Sequence, residues 1–263
     1  MLYNRFMPII KNPELKAKYF FIFFEKNLLL TCDTELLTEN DFIKIQKSVS
    51  HSQIYLDTDT DSIFTEINNT NDIENYKAIQ IRESFCIFSR EQTIAIARSK
   101  ALINWLNQMQ FCPSCATKLQ LSPKLSCLCC SKCNKEYFPR IEPAIIVLVH
   151  KNNQILLARH RMRNQDIYTC IAGFVEAGET LEQAVHREVK EETGLTIKNV
   201  TYKGSQAWPF PDQLMLAFYA DYKEGEINIQ KEELTEARWF DKAKLPNIPS
   251  QGSVAHNLIF NKF

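Results

Sequence analysis

Neither sign of charge is in excess: 31 Lys and Arg balance 31 Asp and Glu in 263 residues, so no overall field draws this chain to nucleic acid or anionic lipid. Any ligand has to be recognised by a built site. Long apolar runs are missing too. The most apolar early stretch, Tyr19 to Phe24, is flanked by Lys18 and Glu25 and falls far short of the roughly 20 residues a membrane helix needs; it reads as a buried strand. Pro8, Lys11 and Pro13 interrupt the apolar core that a secretory signal would require, and the final Asn261-Lys262-Phe263 is no peroxisomal address. The expectation is a cytoplasmic protein with no membrane partner. Repeats and low-complexity tracts are also absent, while 45% hydrophobic and 24% charged residues are ordinary for a globular chain with room for two domains.

What is present is chemically specific. Six of the nine cysteines fall between 112 and 133, a clustering that points to metal ligation in a reducing compartment. FCPSC (111–115) and CSKC (130–133) are two Cys-x-x-Cys knuckles, and four thiolates at that spacing close a tetrahedral structural zinc site. Cys112, Cys115, Cys130 and Cys133 are the preferred ligands, with Cys127 and Cys129 as competitors. Lys118, Lys124, Lys132 and Lys135 form no dense basic stripe, which argues against a direct nucleic-acid role for this ribbon.

Three segments follow from the patterning. Residues 1–108 form a mostly β N-terminal domain: KYFFIFF and NLLLT are strands about a Glu-Lys-Asn turn, and the polar LDTDTDS and EINNTND have loop chemistry. Ser89 and Gln92 make a capping box for a helix in which Ile94, Ala97, Ala101, Ile103, Leu106 and Met109 share a face. Residues 109–140 are the ribbon. From 141 to 263 the hairpin AIIVLV-KNNQ-ILLAR, a helix at 181–193, further strands and a closing helix near 253–262 give an α/β or α+β domain, with an α+β, α/β/α sandwich as the expected architecture.

Thr180 and Gln183 form a second capping box and Gly194 a left-handed stop. At about 100° per residue, Leu181, Ala184, Val185, Glu188, Val189, Glu191 and Glu192 share the core-facing side, whereas Glu182, Gln183, His186, Arg187, Lys190 and Thr193 share the other. Three inward carboxylates roughly 6 Å apart repel by on the order of 3 kcal/mol per pair at an effective dielectric of about 20. Arg187 can reach Glu191, but one cation does not offset three acids; a hard dication with oxygen ligands, Mg²⁺ above all, does.

Gly173, Glu179, Arg187-Glu188, aliphatic Val189, Glu191-Glu192, Gly194 and Leu195 stand at the spacing of a Nudix box, and the chain resembles the Nudix hydrolases. The resemblance implies metal-assisted attack of water on a nucleoside diphosphate linked to a further group. With a four-Cys ribbon before the box and SQAWPFPDQLM (205–215) after it, the chain is similar to the NADH pyrophosphatases of the NudC type over roughly residues 97–260. That family cleaves NADH or NAD⁺ to nicotinamide mononucleotide and AMP, removes NAD caps from RNA, and forms homodimers.

The resemblance implies a catalytic set of Glu179, Arg187, Glu188, Glu191 and Glu192, with Mg²⁺ or Mn²⁺ on Glu188, Glu192, Glu233 and the Ala172 carbonyl. Glu191 is then a metal-associated carboxylate or the base that activates water. Zn²⁺ falls to the four ribbon cysteines. The substrate set is Gln206, Ala207, Trp208, Pro209, Phe210, Pro211, Asp212 and Gln213, with Ala255, Phe138 and Phe174; planar Phe174 and Trp208 suit stacking on a base. Ala207, Gln213 and Phe138 depart from the family pattern, which has Pro, Ser and Tyr there, and none touches the metal ligands. His150, His160 and His186 read as surface or packing residues, Glu236 as a solvated neighbour of Glu233, and Cys32, Cys86 and Cys170 as buried apolar residues.

Overall fold

The computed structural model describes residues 8–48, 53–68, 75–162 and 166–263. Two compact units emerge: one runs up to Arg140 and includes Pro209–Asp212, the other comprises Ile141–Trp208 and Gln213–Phe263.

In the first unit a six-stranded sheet has the order β1 (Ile9–Lys11), β4 (Tyr55–Asp57), β5 (Ser62–Glu66), β2 (Tyr19–Phe24), β3 (Asn27–Thr31), β6 (Tyr76–Gln80). Strand alternation divides β2 and β3 between two cores. Phe20, Ile22 and Leu29 pack with Phe42 and Ile45 of α1 (Glu39–Ser48), whereas Phe21, Phe23, Leu28 and Leu30 pack with Ile96, Leu102 and Ile103 of α3 (Arg90–Gln108). A shorter helix, α2 (Ile81–Ile87), precedes α3. The Ser89/Gln92 capping box is present, but Ile94 is exposed and Ala101 half-buried, because the buried stripe runs through Ala95, Ile96, Ser99, Leu102 and Ile103. The stretch LDTDTDS is no simple loop: Leu56 and Asp57 end β4 and Ser62 begins β5, since Asp57 accepts from Arg98 at 2.6 Å and Thr60 donates to it at 2.8 Å. Cys32 and Cys86 are exposed, contrary to expectation, and Cys170 is buried.

Three short strands, β7 (Gln120–Leu121), β8 (Leu128–Cys129) and β9 (Glu136–Tyr137), form the antiparallel ribbon sheet.

In the second unit a mixed sheet runs β13 (Thr196–Trp208), β14 (Gln213–Glu224), β10 (Glu142–Lys151), β11 (Gln154–His160), β15 (Leu234–Asp241), with β12 (Ile171–Phe174) on β10. β10 pairs parallel with β14 and antiparallel with β11 and β12. Its residues alternate between two layers. Ile145, Val147 and Val149 meet Ala184, Val185 and Val189 of α4 (Leu181–Thr193), while Ala144, Ile146 and Leu148 meet Val254, Ala255 and Leu258 of α5 (Val254–Ile259). Helix, sheet and helix make the expected α/β/α sandwich. No helix among the described residues is long and apolar enough to cross a membrane.

Candidate active site

The helix α4 begins and ends where its caps dictate. Thr180 Oγ1 accepts from Gln183 N, the Gln183 side chain accepts from Thr180 N, and Gly194 closes it in the left-handed region at φ 74°. Its buried stripe centres on Val185 and Glu192, which corrects two assignments. Glu191 lies at the edge with its side chain 53% exposed, and Thr193 is buried, its hydroxyl donating to Val189 O. The physical reason is angular: Glu191 stands about 100° from Glu192, beside Arg187 and away from the core.

Arg187 organises the acids. Nε and Nη2 grip Glu179 at 2.8 and 2.9 Å, Nη1 reaches Glu188 at 2.8 Å and Glu191 at 3.0 Å, and Nη2 also donates to the Phe174 carbonyl at 2.9 Å. A planar guanidinium with five donors suits such a fan. These bonds hold the Glu179 carboxyl below the usual range and push Arg187 further up. Glu188 moves the opposite way: burial pushes its carboxyl up against the pull of Arg187, and the charges of Glu191 and Glu233 add to the rise.

Glu188 has its place because Gly173 has no side chain. A Cβ at 173 would stand 1.9 Å from Glu188 Oε1 and 2.0 Å from its Cδ. The carboxylate therefore lies against β12, the strand that also carries Ala172, while Glu192 is 1% exposed on the same helix stripe. Glu233 is exposed on the turn before β15, where Glu233 N donates to Gln230 O and its carbonyl accepts from Arg161 N.

The all-oxygen donor set, with the Glu188 carboxylate seated in the space left by Gly173, suits a hard dication. Glu188, Glu192 and Glu233 do not converge to within 4.8 Å of one another; among the described residues only two cysteine groups do so.

The first of those groups is Cys112, Cys115, Cys130 and Cys133. Cys115 and Cys130 Sγ are 3.5 Å apart, close to the ~3.8 Å edge of a tetrahedron with metal–sulfur bonds of about 2.3 Å. Cys133 N donates to Cys130 Sγ, and the Tyr137 hydroxyl lies 3.1 Å from Cys112 Sγ. This quartet suits a structural metal, with Cys127 and Cys129 outside it.

The aromatic segment is divided. Gln206, Ala207 and Trp208 end β13, with Trp208 opposite Gln213 at the start of β14. Gln206 Nε2 donates to Gly252 O, and its buried Oε1 has no hydrogen-bond partner among the described residues. Trp208 is half-buried against the cluster holding Met215, Ala217 and Ala255, and Ala255 is itself core at 4% exposure. Pro209, Phe210, Pro211 and Asp212 group with the first unit: Asn104 Nδ2 donates to the carbonyls of Pro209 at 3.4 Å and Pro211 at 2.9 Å, and Phe210 packs on that unit's core. Phe174 is 52% exposed and Phe138 41%.

Sequence reasoning missed Asn104 and the Phe174 carbonyl, since both contacts join residues far apart in the chain. It also misread Glu236, which is no solvated bystander. Glu236 accepts from the Tyr168 hydroxyl at 2.5 Å and pairs with Arg159 at 2.7 Å, and only the β11–β15 register brings Arg159 opposite it.

Residues 140–259 match the NUDIX domain. The NAD-capped RNA hydrolase NudC of Chromobacterium violaceum is 43% identical over 181 residues, 69% of this chain and 68% of that protein. The chain belongs to the Nudix family. The Photobacterium profundum protein of the same name is 48% identical over 62% of this chain and 61% of its own length. This Nudix chain thus spans about three fifths of several relatives, 57% of that from Vibrio atlanticus. A Nudix hydrolase structure from Nitrosomonas europaea shares the fold at a TM-score of 0.50 and 23% identity, covering 57% of this chain and 88% of that one.

Proposed function

We propose that this Nudix protein is an NAD(H) diphosphatase that hydrolyses the pyrophosphate of NADH or NAD⁺, free or as the cap of RNA, to release nicotinamide mononucleotide. The observation that carries the reading is the Glu188 carboxylate seated against Gly173, within a fan of Arg187 hydrogen bonds to Glu179 and Glu191. The substrate follows from relatives that are named NAD-capped RNA hydrolases and from the segment Gln206–Gln213.

Glu188, Glu192, Glu233 and the Ala172 carbonyl would hold Mg²⁺ or Mn²⁺, which would supply neutralisation of phosphate charge and a lowered pKa for the attacking water. The protein's own groups do the rest. Arg187 keeps Glu179 ionised, opposes the upward push of burial on Glu188, and orients both carboxylates. Glu191, exposed on the helix edge, takes the proton of the attacking water. Phe174 and Trp208 stack on the bases, the unpartnered Gln206 Oε1 accepts from the substrate, and Zn²⁺ on the four ribbon cysteines stabilises the fold. The protein acts as a cytoplasmic homodimer, its division into residues 1–108, 109–140 and 141–263 separating N-terminal, ribbon and catalytic roles.

Turnover of NADH, NAD⁺, NAD-capped RNA, ADP-ribose and diadenosine polyphosphates with Mg²⁺ or Mn²⁺ tests the proposal, with light scattering for the dimer. Preference for the nicotinamide substrates supports it. Equal kcat/KM on all five would instead favour a broad Nudix hydrolase, the outcome that the departures Ala207 and Gln213 make worth measuring.

A further inference from the structure

Outside the quartet, the ribbon carries a second group of metal-type donors. Cys127 Sγ, Cys129 Sγ and a Glu136 carboxylate oxygen all lie within 4.8 Å of one another. Sheet geometry creates the arrangement. Cys127, in the bend just before β8, and Cys129, within β8, both lie outside the core cluster that takes in Leu128 and Cys130, and the β8–β9 register sets Glu136 directly opposite Cys129.

We propose that Cys127, Cys129 and Glu136 form a second metal site for a thiolate-seeking dication of the zinc class. One distance, the completeness of the quartet and the pattern of exposure support it. The two sulfurs are 3.9 Å apart, beside the ~3.8 Å that tetrahedral zinc imposes and far from the roughly 2.05 Å of a disulfide. The quartet is complete without them, so neither thiol is needed there. Cys127 is buried, Cys129 half-buried and Glu136 exposed, so the site opens to solvent on the carboxylate side, where water can fill a fourth position. Two thiolates with one carboxylate select zinc-class ions over Mg²⁺ or Mn²⁺, which separates this site chemically from the carboxylates of α4.

The test is metal content of the full chain. Protein is equilibrated with buffered Zn²⁺ in excess Mg²⁺, which keeps the oxygen site occupied, and zinc per chain is measured by elemental mass spectrometry. The expected result is one zinc ion more in the wild type than in the Cys127→Ser/Cys129→Ser double variant, which retains the quartet's ion as an internal sign of a folded ribbon. Glu136→Gln, a surface change, is expected to weaken the second ion by at least about tenfold. Loading with Co²⁺ gives a parallel readout, since sulfur-to-cobalt absorption should drop in the double variant. Equal zinc content in wild type and double variant overturns the proposal. So does an intact-protein mass two hydrogens lighter that disappears with the double substitution, because that marks a Cys127–Cys129 disulfide instead of a metal site.

Discussion

Gly173→Ala is a small substitution with a calculable collision. The added Cβ would meet Glu188 Oε1 at 1.9 Å, Cδ at 2.0 Å and Oε2 at 2.5 Å, all below the 3.0 Å that real Cβ atoms respect. Relief requires the carboxylate or β12 to move by about 1 Å. The helix side is constrained by Arg187, and the strand side by its pairing with β10, Ile145 opposite Gly173. Overpacking of this kind costs roughly 1–3 kcal/mol, and a displacement of about 1 Å in a positioned group lowers rate by on the order of 10²-fold. For a unit of this size the stability loss corresponds to about 2–12 °C in Tm. Thermal unfolding and kcat/KM on NADH with Mn²⁺ read the two effects separately. The double variant Gly173→Ala/Glu188→Asp withdraws the carboxylate by one methylene, so it should recover Tm relative to Gly173→Ala while remaining inactive, a non-additivity typical of residues in contact. Unchanged rate and Tm in Gly173→Ala, or strictly additive Tm losses in the double variant, would refute the argument.

Other substitutions probe the remaining parts. Glu192→Gln should lower kcat on NADH by on the order of 10²–10³ and leave ribbon zinc content and the circular dichroism spectrum intact; retained activity removes Glu192 from the metal set. Glu236→Gln should destabilise the second unit by roughly 1.5–3 kcal/mol at neutral pH. The Tyr168 hydrogen bond first, then Arg238 and Arg159, hold that carboxyl below its usual range, so its stabilisation is full above the unfolded value and lost as pH falls through the lower folded one. The wild-type advantage in urea midpoint should therefore shrink below about pH 4.5, and a gap that persists into strong acid contradicts the ionic origin. Asn104→Ala removes both donors to the Pro209 and Pro211 carbonyls. It should cost about 1 kcal/mol and raise KM for NADH more than it lowers kcat, whereas a fall in kcat alone would argue against a binding role for that loop.

Legibility in the sequence followed the range of the interaction. The limits of α4 could be read because Thr180, Gln183 and Gly194 act within one turn of the backbone they cap, and the two-sided burial of β10 because its apolar run is continuous. Glu191 went wrong for a different reason. A helical wheel orders residues by angle but does not locate the centre of the buried stripe, and here the centre lies toward Val185 and Glu192. The β4–β5 hairpin was hidden because its turn is built from polar residues whose partner, Arg98, lies 41 positions away from Asp57. Helix α1 drew no notice in a polar context, although Phe42 and Ile45 are buried beneath it. Glu236 and the grouping of Pro209–Asp212 depend on strand register and on Asn104, neither of which leaves a local trace.

The alternation along β10 has a practical consequence. Its odd positions, Ile145, Val147 and Val149, pack in the cluster that supports α4 and its carboxylates, while its even positions, Ala144, Ile146 and Leu148, pack in the cluster shared by Trp208 and Ala255. One strand is therefore a pair of separately addressable dials. A conservative volume change at Val147 acts on the packing beneath α4, and one at Ile146 on the packing around Trp208 and Ala255, so neighbouring codons address opposite faces of the sheet.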